Sequence, residues 1–386
     1  MQDLSTYILD KLNTLVVMLD ESGNASFVSN ASKSILGYEP KQLLGKGWFD
    51  LTRKNETDRN AMRELVQKAI KNESAELIAS GERLLYSATG AEKWILWNTV
   101  KGPDKSLIAI GYDITERKSM EQALEKANNN LLKKNKEIIE SIQYAQRIQQ
   151  AILPDVSQIK KAFGNAFVLY KPKDIVSGDF YWFFEKGNDK YVAAVDCTGH
   201  GVPGALMSVV AHSLFKEVFI NKGLTEPVEI LSAIDFELQK ELGKNPDKVK
   251  SSDGMDVALL KYNSENRTIT FAGAFRPLLL VRNNFVEELS GSRFPIGFYS
   301  DVIKEFTQHE INLQQGDAVY LFSDGYVDQF GGEKGKKLNR KRFKELLLTI
   351  SEMETDEQEA FLEYAFNNWR QQEEQTDDIV VIGLKF

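Results

Sequence analysis

The chain has 386 residues, 42% hydrophobic and 10% aromatic, enough for two or three domains with sizeable cores. Its 56 acidic against 48 basic residues give a formal net charge of −8, which argues against a general nucleic-acid binder but excludes neither a local basic patch nor a protein partner. The single cysteine excludes an internal disulfide. There is no run of about 18 apolar residues and no basic-then-apolar leader, so the expectation is a cytoplasmic protein with no membrane partner.

In chain order, "TLVVMLDESGNASFVS" reads as strand, turn at Glu21–Asn24 and second strand. Short helical pieces follow in "ILGYEPKQLLGKGWFDL", broken by Gly and Pro. Three β-type runs come next, Glu76–Tyr86, Lys93–Val100 and Ser106–Tyr112. Together they predict a small antiparallel sheet with helices on one face. With "LGYEPKQLLGK" and the closing "GYDITERK", residues 1–118 resemble a PAS sensor domain, which implies a small-molecule or protein signal. These residues contain no histidine and no cysteine, so a His-ligated haem or a cysteinyl-flavin photosensor lacks its essential side chain.

Residues 119–152 carry no Gly or Pro and are rich in Glu, Lys, Asn, Gln and Leu, which predicts a long exposed helix. Leu124, Leu131, Ile138, Ala145 and Ile152 recur every seven residues, as in one seam of a left-handed coiled coil. The second seam, Ala127, Lys134, Ser141 and Ile148, is poorer. The expected arrangement is a parallel homodimer through this linker, the alternative being a single helix packed on its own domain.

Residues 153–386 hold β-type runs at Ala166–Lys171, Tyr181–Glu185, Tyr191–Val195, Val257–Tyr262, Thr268–Ala272 and Pro277–Val281, and then at Phe285–Leu289, Glu305–Leu313, Ala318–Phe322 and Ile379–Leu384. Helical stretches lie at Gly204–Ile220, Pro227–Leu242, Lys341–Ile350 and Asp356–Arg370. The fold class is therefore α+β: two antiparallel sheets face to face with helices outside, an α-β-β-α sandwich.

Four strands of this block begin or end in a carboxylate. Asp196 follows "YVAAV", Asp324 follows "AVYLFS", Asp377 and Asp378 precede "IVVI", and Asp179 follows Ser177-Gly178. Each alone reads as a turn or cap residue. Four at rigid strand ends can surround one point, where they repel unless a hard divalent cation neutralises them. With three histidines and one cysteine in the chain, Mg²⁺ or Mn²⁺ suits this set better than zinc. In "VDCTGHGVPGALMS" a nucleophilic Cys197 lacks support, because Pro203 stands where a cysteine phosphatase places its arginine and only His200 is basic nearby. His200, between two glycines, reads as a supporting rather than a catalytic residue.

"SGDFYW", "DCTGHGVPGALMS", "FSDGYVDQF" and "TDDIVVI", in this order over about 230 residues, resemble a PPM-type metal-dependent protein serine/threonine phosphatase, most of all its SpoIIE-like branch. "YAQRIQQAILP" before them is similar to the helical entry of that branch. The resemblance implies two divalent ions, Mn²⁺ or Mg²⁺, with Asp196 bridging them, the main-chain carbonyl of Cys197 on the second, and Asp179, Asp324 and Asp377 as further ligands. Asp378 is a weaker candidate. The catalytic pair would be Asp196 and Asp324, acting through activated water with no covalent phosphoenzyme. The substrate class implied is a phosphorylated regulatory protein of the anti-sigma-factor-antagonist type. "AGAFRPLLL" departs from the pattern, with Phe275 where His or Asn is common, and leaves Arg276 with two roles, a phosphate contact or a hairpin cap. A sensor histidine kinase would need a histidine on the linker, yet His200, His212 and His309 all lie beyond it. A non-catalytic scaffold keeping the phosphatase fold is the remaining rival.

Overall fold

The computed structural model describes residues 13–71, 80–242, 253–297 and 304–386. By contacts the chain divides into two units, Met1–Asn135 and Lys136–Phe386.

In the first unit, β1 (Leu15–Leu19) and β2 (Ala25–Val28) form the expected hairpin. Asp20 Oδ1 accepts from the amides of Ser22 and Asn24 at 2.9 and 3.0 Å, and Gly23 takes the left-handed turn position at φ 75°. Helices α1 (Ala31–Leu36), α2 (Pro40–Leu43), α3 (Gly47–Thr52) and α4 (Glu56–Ile70) lead to β3 (Ser80–Tyr86), β4 (Glu92–Lys101) and β5 (Leu107–Asp113). The expected strand Glu76–Tyr86 begins outside the described residues. The sheet runs β2-β1-β5-β4-β3, every neighbour antiparallel. Alternation turns Leu15, Val17 and Leu19 of β1, with Ile95 and Trp97 of β4, onto Trp48, Phe49 and Val66 of the helices.

α5 (Thr115–Ile152) is one unbroken 38-residue helix. Leu124, Leu131 and Ile138, the stronger predicted seam, are 72%, 58% and 55% exposed. A helix of that length with a bare apolar seam is a poor solitary element in water.

In the second unit the end of α5 is followed by α6 (Val156–Phe163), a helix that sequence reading passed over although Asp155 caps it through the Ser157 amide. The unit continues through β6 (Asn165–Lys171), β7 (Phe180–Lys186), β8 (Asp189–Cys197), α7 (Gly201–Lys216) and α8 (Pro227–Leu242). Strands β9 (Met255–Asn263), β10 (Thr268–Ala274), β11 (Leu278–Arg282), β12 (Phe285–Leu289), β13 (Gln308–Asn312) and β14 (Ala318–Phe322) follow. The last elements are the single turn α9 (Gly325–Asp328), the small hairpin β15 (Phe330–Gly331) and β16 (Lys336–Lys337), α10 (Asn339–Ile350), α11 (Thr355–Arg370) and β17 (Ile379–Lys385).

Two five-stranded antiparallel sheets result, β13-β10-β9-β8-β7 and β12-β11-β14-β17-β6. Tyr181, Val192, Leu260, Leu280, Leu321 and Ile382 interdigitate between them. α7 and α8 cover the first sheet through Phe215 and Ile234 against Trp182 and Val257. α10 and α11 cover the second through Phe343 and Phe366 against Tyr320. This is the expected α-β-β-α sandwich. Each fully buried Phe in these layers contributes about 1.5–3 kcal/mol of hydrophobic stabilisation. One helical stretch, Gly201–Asn221, is long and apolar enough to cross a membrane by length and composition. Its Ala211, Leu214, Phe215, Val218 and Phe219 pack on the first sheet, while Val202, Leu206, Val210 and Ile220 are exposed.

Candidate active site

Strand alternation decides where the carboxylates point. In β8, Val195 and Cys197 face the helical layer while Ala194 faces the opposing sheet, so Asp196 shares the inter-sheet side. In β9, Met255 and Val257 face the helices and Ala258 faces inward, which places Asp256 inward as well. Asp196 and Asp256 are direct cross-strand partners. Asp179 continues the inward parity of Tyr181, and Asp378 that of Val380 and Ile382. Asp324 follows β14 on the facing sheet. Acids from both sheets thus meet at one end of the cleft between them.

Glycines permit the approach. A Cβ on Gly204 would lie 2.9 Å from the Cα of Gly178 and overlap the carbonyl oxygen of Gly199. The Asp179 turn and the Asp196–Gly204 loop therefore lie backbone against backbone. A Cβ on Gly325 would likewise overlap the carbonyl oxygen of Asp378, so the segment behind Asp324 rests directly on the segment before β17. The glycines of "SGD", "DCTGHGVPG" and "SDG" are needed for contact between loops as much as for turning.

Arg276 stands among the acids. Its Nη2 lies 2.5 Å from Asp196 Oδ2, 2.8 Å from Asp324 Oδ2 and 3.0 Å from Asp256 Oδ2. The residue is buried, so it is no solvated hairpin cap. Burial, with Asp324 and Asp256 adding to it, pushes Asp196 up to about 7 despite Arg276. Burial likewise pushes Asp256 up to about 6. Asp179 lies well above the carboxylate range, through burial first and Asp196 second. Its Oδ2 is buried with no hydrogen-bond partner.

The final pair divides its work. Asp378 is buried, with Oδ1 accepting from the Lys173 amide and Oδ2 from the Gly178 amide, both at 2.7 Å. Its carboxylate is therefore committed to holding the Asp179 turn. Asp377 is raised by burial, with Asp324 and Asp378 adding to it. The Cys197 side chain is buried in the helical-side core and burial pushes its thiol well up, which suits no nucleophile. His200 is exposed, its Nδ1 2.9 Å from Asp174 Oδ2 and its Nε2 3.2 Å from Lys173 Nζ. Beside Asp196 and Asp256 lies a hollow of about 280 Å³ walled by Thr198, Met255, Phe275 and Pro295. Phe275 is 53% exposed and holds a left-handed backbone at φ 62°, a strained conformation for an aromatic residue.

Sequence reading missed two participants. Asp256 lies within a strand rather than at a glycine turn, and only the β8–β9 register brings it to Asp196. Gln149, near the end of α5, is buried and bonded to Ser177 and Ser208, yet on the sequence it is one polar residue among many.

Among the described residues no three His, Cys, Asp or Glu side chains close around one point as the ligands of an ion would; the Arg276 guanidinium stands between three of the acids. The donor set fits a hard divalent cation all the same, being all oxygen and crowded, with Asp179 and Asp196 raised in pKa and the Asp179 Oδ2 orphaned.

A sandwich with acids at its cleft end and a five-stranded sensor sheet before it define a PP2C-type phosphatase domain joined to a PAS domain. The Stage II sporulation protein E (SpoIIE) family matches residues 187–386 and the PAS fold matches residues 9–119. The chain belongs to the SpoIIE family. Among solved structures, the SiaA-PP2C domain of Pseudomonas aeruginosa is 33% identical with a TM-score of 0.60, over 65% of this chain and 98% of that one. Phosphoserine phosphatase RsbU of Bacillus subtilis (strain 168) is 26% identical over 197 residues, 50% of this chain and 55% of the relative. Phosphoserine phosphatase RsbP of the same organism is 25% identical over 162 residues, 41% of this chain and 38% of the relative. The match thus spans about half or less of those two relatives.

Proposed function

We propose that this chain is a signal-regulated protein phosphatase that hydrolyses phosphoserine or phosphothreonine on a regulatory protein, with an anti-sigma-factor antagonist as the substrate class. Residues 1–118 form its sensor, 119–152 a coiled-coil linker joining two copies in parallel, and 153–386 the catalytic domain. The single cysteine supports a cytoplasmic setting.

The cofactors are two divalent cations, Mn²⁺ or Mg²⁺, held by Asp179, Asp196, Asp324, Asp377 and the carbonyl of Cys197, with Asp256 added to that set. Such ions, when bound, supply an activated water and charge neutralisation at phosphorus. The chain's own residues do the rest. Asp196 and Asp256 present paired negative charge at the cleft end, and Asp378 fixes the turn that carries Asp179. The hollow beside Asp196 receives the phosphorylated side chain, with Phe275 on its rim. Arg276 balances the charge of Asp196, Asp256 and Asp324, with which it pairs.

The observation carrying this reading is the convergence of acids from separate strands around a buried, unpartnered carboxylate oxygen. Purified protein is expected to hydrolyse an aryl phosphate with Mn²⁺ or Mg²⁺ and to lose that activity in a chelator; full activity in chelator would refute it. One observation favours the rival scaffold: Arg276 already serves three acids as counter-ion. No phosphatase activity under any divalent cation, with the fold intact, would select it.

A further inference from the structure

Strand β10 belongs to one sheet of the sandwich and β11 to the other, and only residues 275–277 separate them. The crossing begins with a tight turn. The Arg276 amide donates to the Ala274 oxygen at 2.8 Å, with Phe275 between them at φ 62°. A bond from residue i to i+2 around a positive φ makes a γ-turn of the rare, strained kind. A glycine would hold that backbone with far less strain, yet the position carries an aromatic side chain.

Main chain holds the turn in place. The Phe275 amide donates to the Ser292 oxygen at 2.8 Å, and the Ser292 amide to the Gly273 oxygen at 2.7 Å. A Cβ on Gly273 or on Gly291 would overlap the carbonyl oxygen of Arg276, so backbone meets backbone there. The two consecutive side chains differ in surroundings. Arg276 is buried against Asp196, Asp256 and Asp324, whereas Phe275 is 53% exposed. Phe275 and Pro295 bring apolar surface to the same hollow of about 280 Å³ that Asp196 and Asp256 line. That volume is near the lower end of sites that enclose a whole small ligand, so a phosphorylated side chain at the acids leaves room for a neighbouring one. An exposed aromatic ring on a rigid mount has little entropy to lose and much apolar area to cover, as an anchor for an apolar side chain requires.

We propose that Phe275 is a specificity-determining residue: its ring packs against an aliphatic side chain next to the phosphorylated serine or threonine, so the favoured substrates carry such a residue there. The inference rests on the catalytic reading of the same site.

Two phosphoserine peptides test it, one with Leu on both sides of the phosphoserine and the other with Asn, which is close to Leu in shape but polar. With Mn²⁺ the unaltered full chain is expected to show a kcat/KM at least ~10-fold higher for the Leu peptide, as burial of an aliphatic side chain allows. Phe275→Asn removes the apolar ring while suiting a left-handed backbone. It is expected to bring the ratio below ~3-fold, chiefly through KM, because the contact is made in ground and transition states alike. Phe275→Tyr is expected to keep the preference. The peptide comparison uses the unaltered protein and decides the matter even if a variant fails to fold. Hydrolysis of an aryl phosphate with equal kcat/KM on the two peptides, or with neither peptide cleaved, overturns this inference alone. An undiminished preference in a folded Phe275→Asn protein overturns it too. Failure on the aryl phosphate as well refutes the catalytic reading and this inference with it.

Discussion

Gln149, three residues before the end of α5, is bonded on both sides of the Ser177 peptide backbone. Its Nε2 donates to the Ser177 oxygen at 2.6 Å and its Oε1 accepts from the Ser177 amide at 3.1 Å. The same Nε2 donates to Ser208 Oγ of α7 at 2.8 Å. Ser177 Oγ in turn accepts from the Asp179 amide at 3.0 Å. One carboxamide on the long helix therefore holds both the turn that presents Asp179 and the helix that follows Asp196.

Replacing Gln149 by Leu leaves buried Ser177 groups unpaired, at about 1–3 kcal/mol each. Gln149→Leu is expected to keep its circular dichroism, to need at least ~10-fold more Mn²⁺ for half-maximal turnover, and to turn over more slowly, as supporting-residue changes at metal sites do. An unchanged Mn²⁺ dependence would show that the bond does not position Asp179.

The acid cluster sets a pH dependence. Asp196 at about 7 and Asp256 at about 6 stand above the ordinary carboxylate value near 4 of the unfolded chain. Between about pH 4 and 7 the folded chain thus holds protons that the unfolded chain has released, and stability falls as pH rises through that window. His212, lowered by burial, works in the opposite sense but is outnumbered by the raised carboxylates. In chelator the melting temperature is expected to be lower at about pH 8 than at about pH 5.5, and Mn²⁺ is expected to reverse the order because it binds the deprotonated acids. A chelated protein that gains stability over this range would contradict the arrangement.

Much of this was legible beforehand, for identifiable reasons. Strand ends show in the sequence because apolar runs begin or end beside Asp179, Asp196, Asp324 and the Asp377–Asp378 pair, and glycines near the first three mark turns. The division of labour between Asp377 and Asp378 was not legible, since it depends on amides of Lys173 and Gly178 some 200 positions away. Asp256 was hidden by register, and although Arg276 was singled out as a phosphate contact or a hairpin cap, its pairing with three acids depends on the closing of two sheets that no local pattern records. Helix α6 did carry signals, Asp155 as cap and Gly164 beyond its end, but spans only 8 residues.

The bare seam of α5 makes a separate prediction. Leu131→Asp places a charge in the proposed dimer contact and is expected to yield a monomer in sedimentation and a changed basal turnover. Four residues inserted near Asn135 rotate the downstream helix by about 40°, whereas seven nearly preserve the phase, so the first insertion is expected to alter turnover far more. Three dimeric proteins of equal activity would make the linker a passive tether.

Release of phosphate from a phosphoserine protein, followed against Mn²⁺ concentration for the unaltered chain, Asp196→Asn and Cys197→Ala, tests the central claim most directly. The account predicts saturable activation by Mn²⁺, a loss of at least ~100-fold in Asp196→Asn, and retention of much of the activity in Cys197→Ala, since cation ligation rests on the carboxylate and not on the thiol. Turnover by Asp196→Asn equal to that of the unaltered chain, or a Cys197→Ala protein that still binds Mn²⁺ yet is inactive, would contradict it.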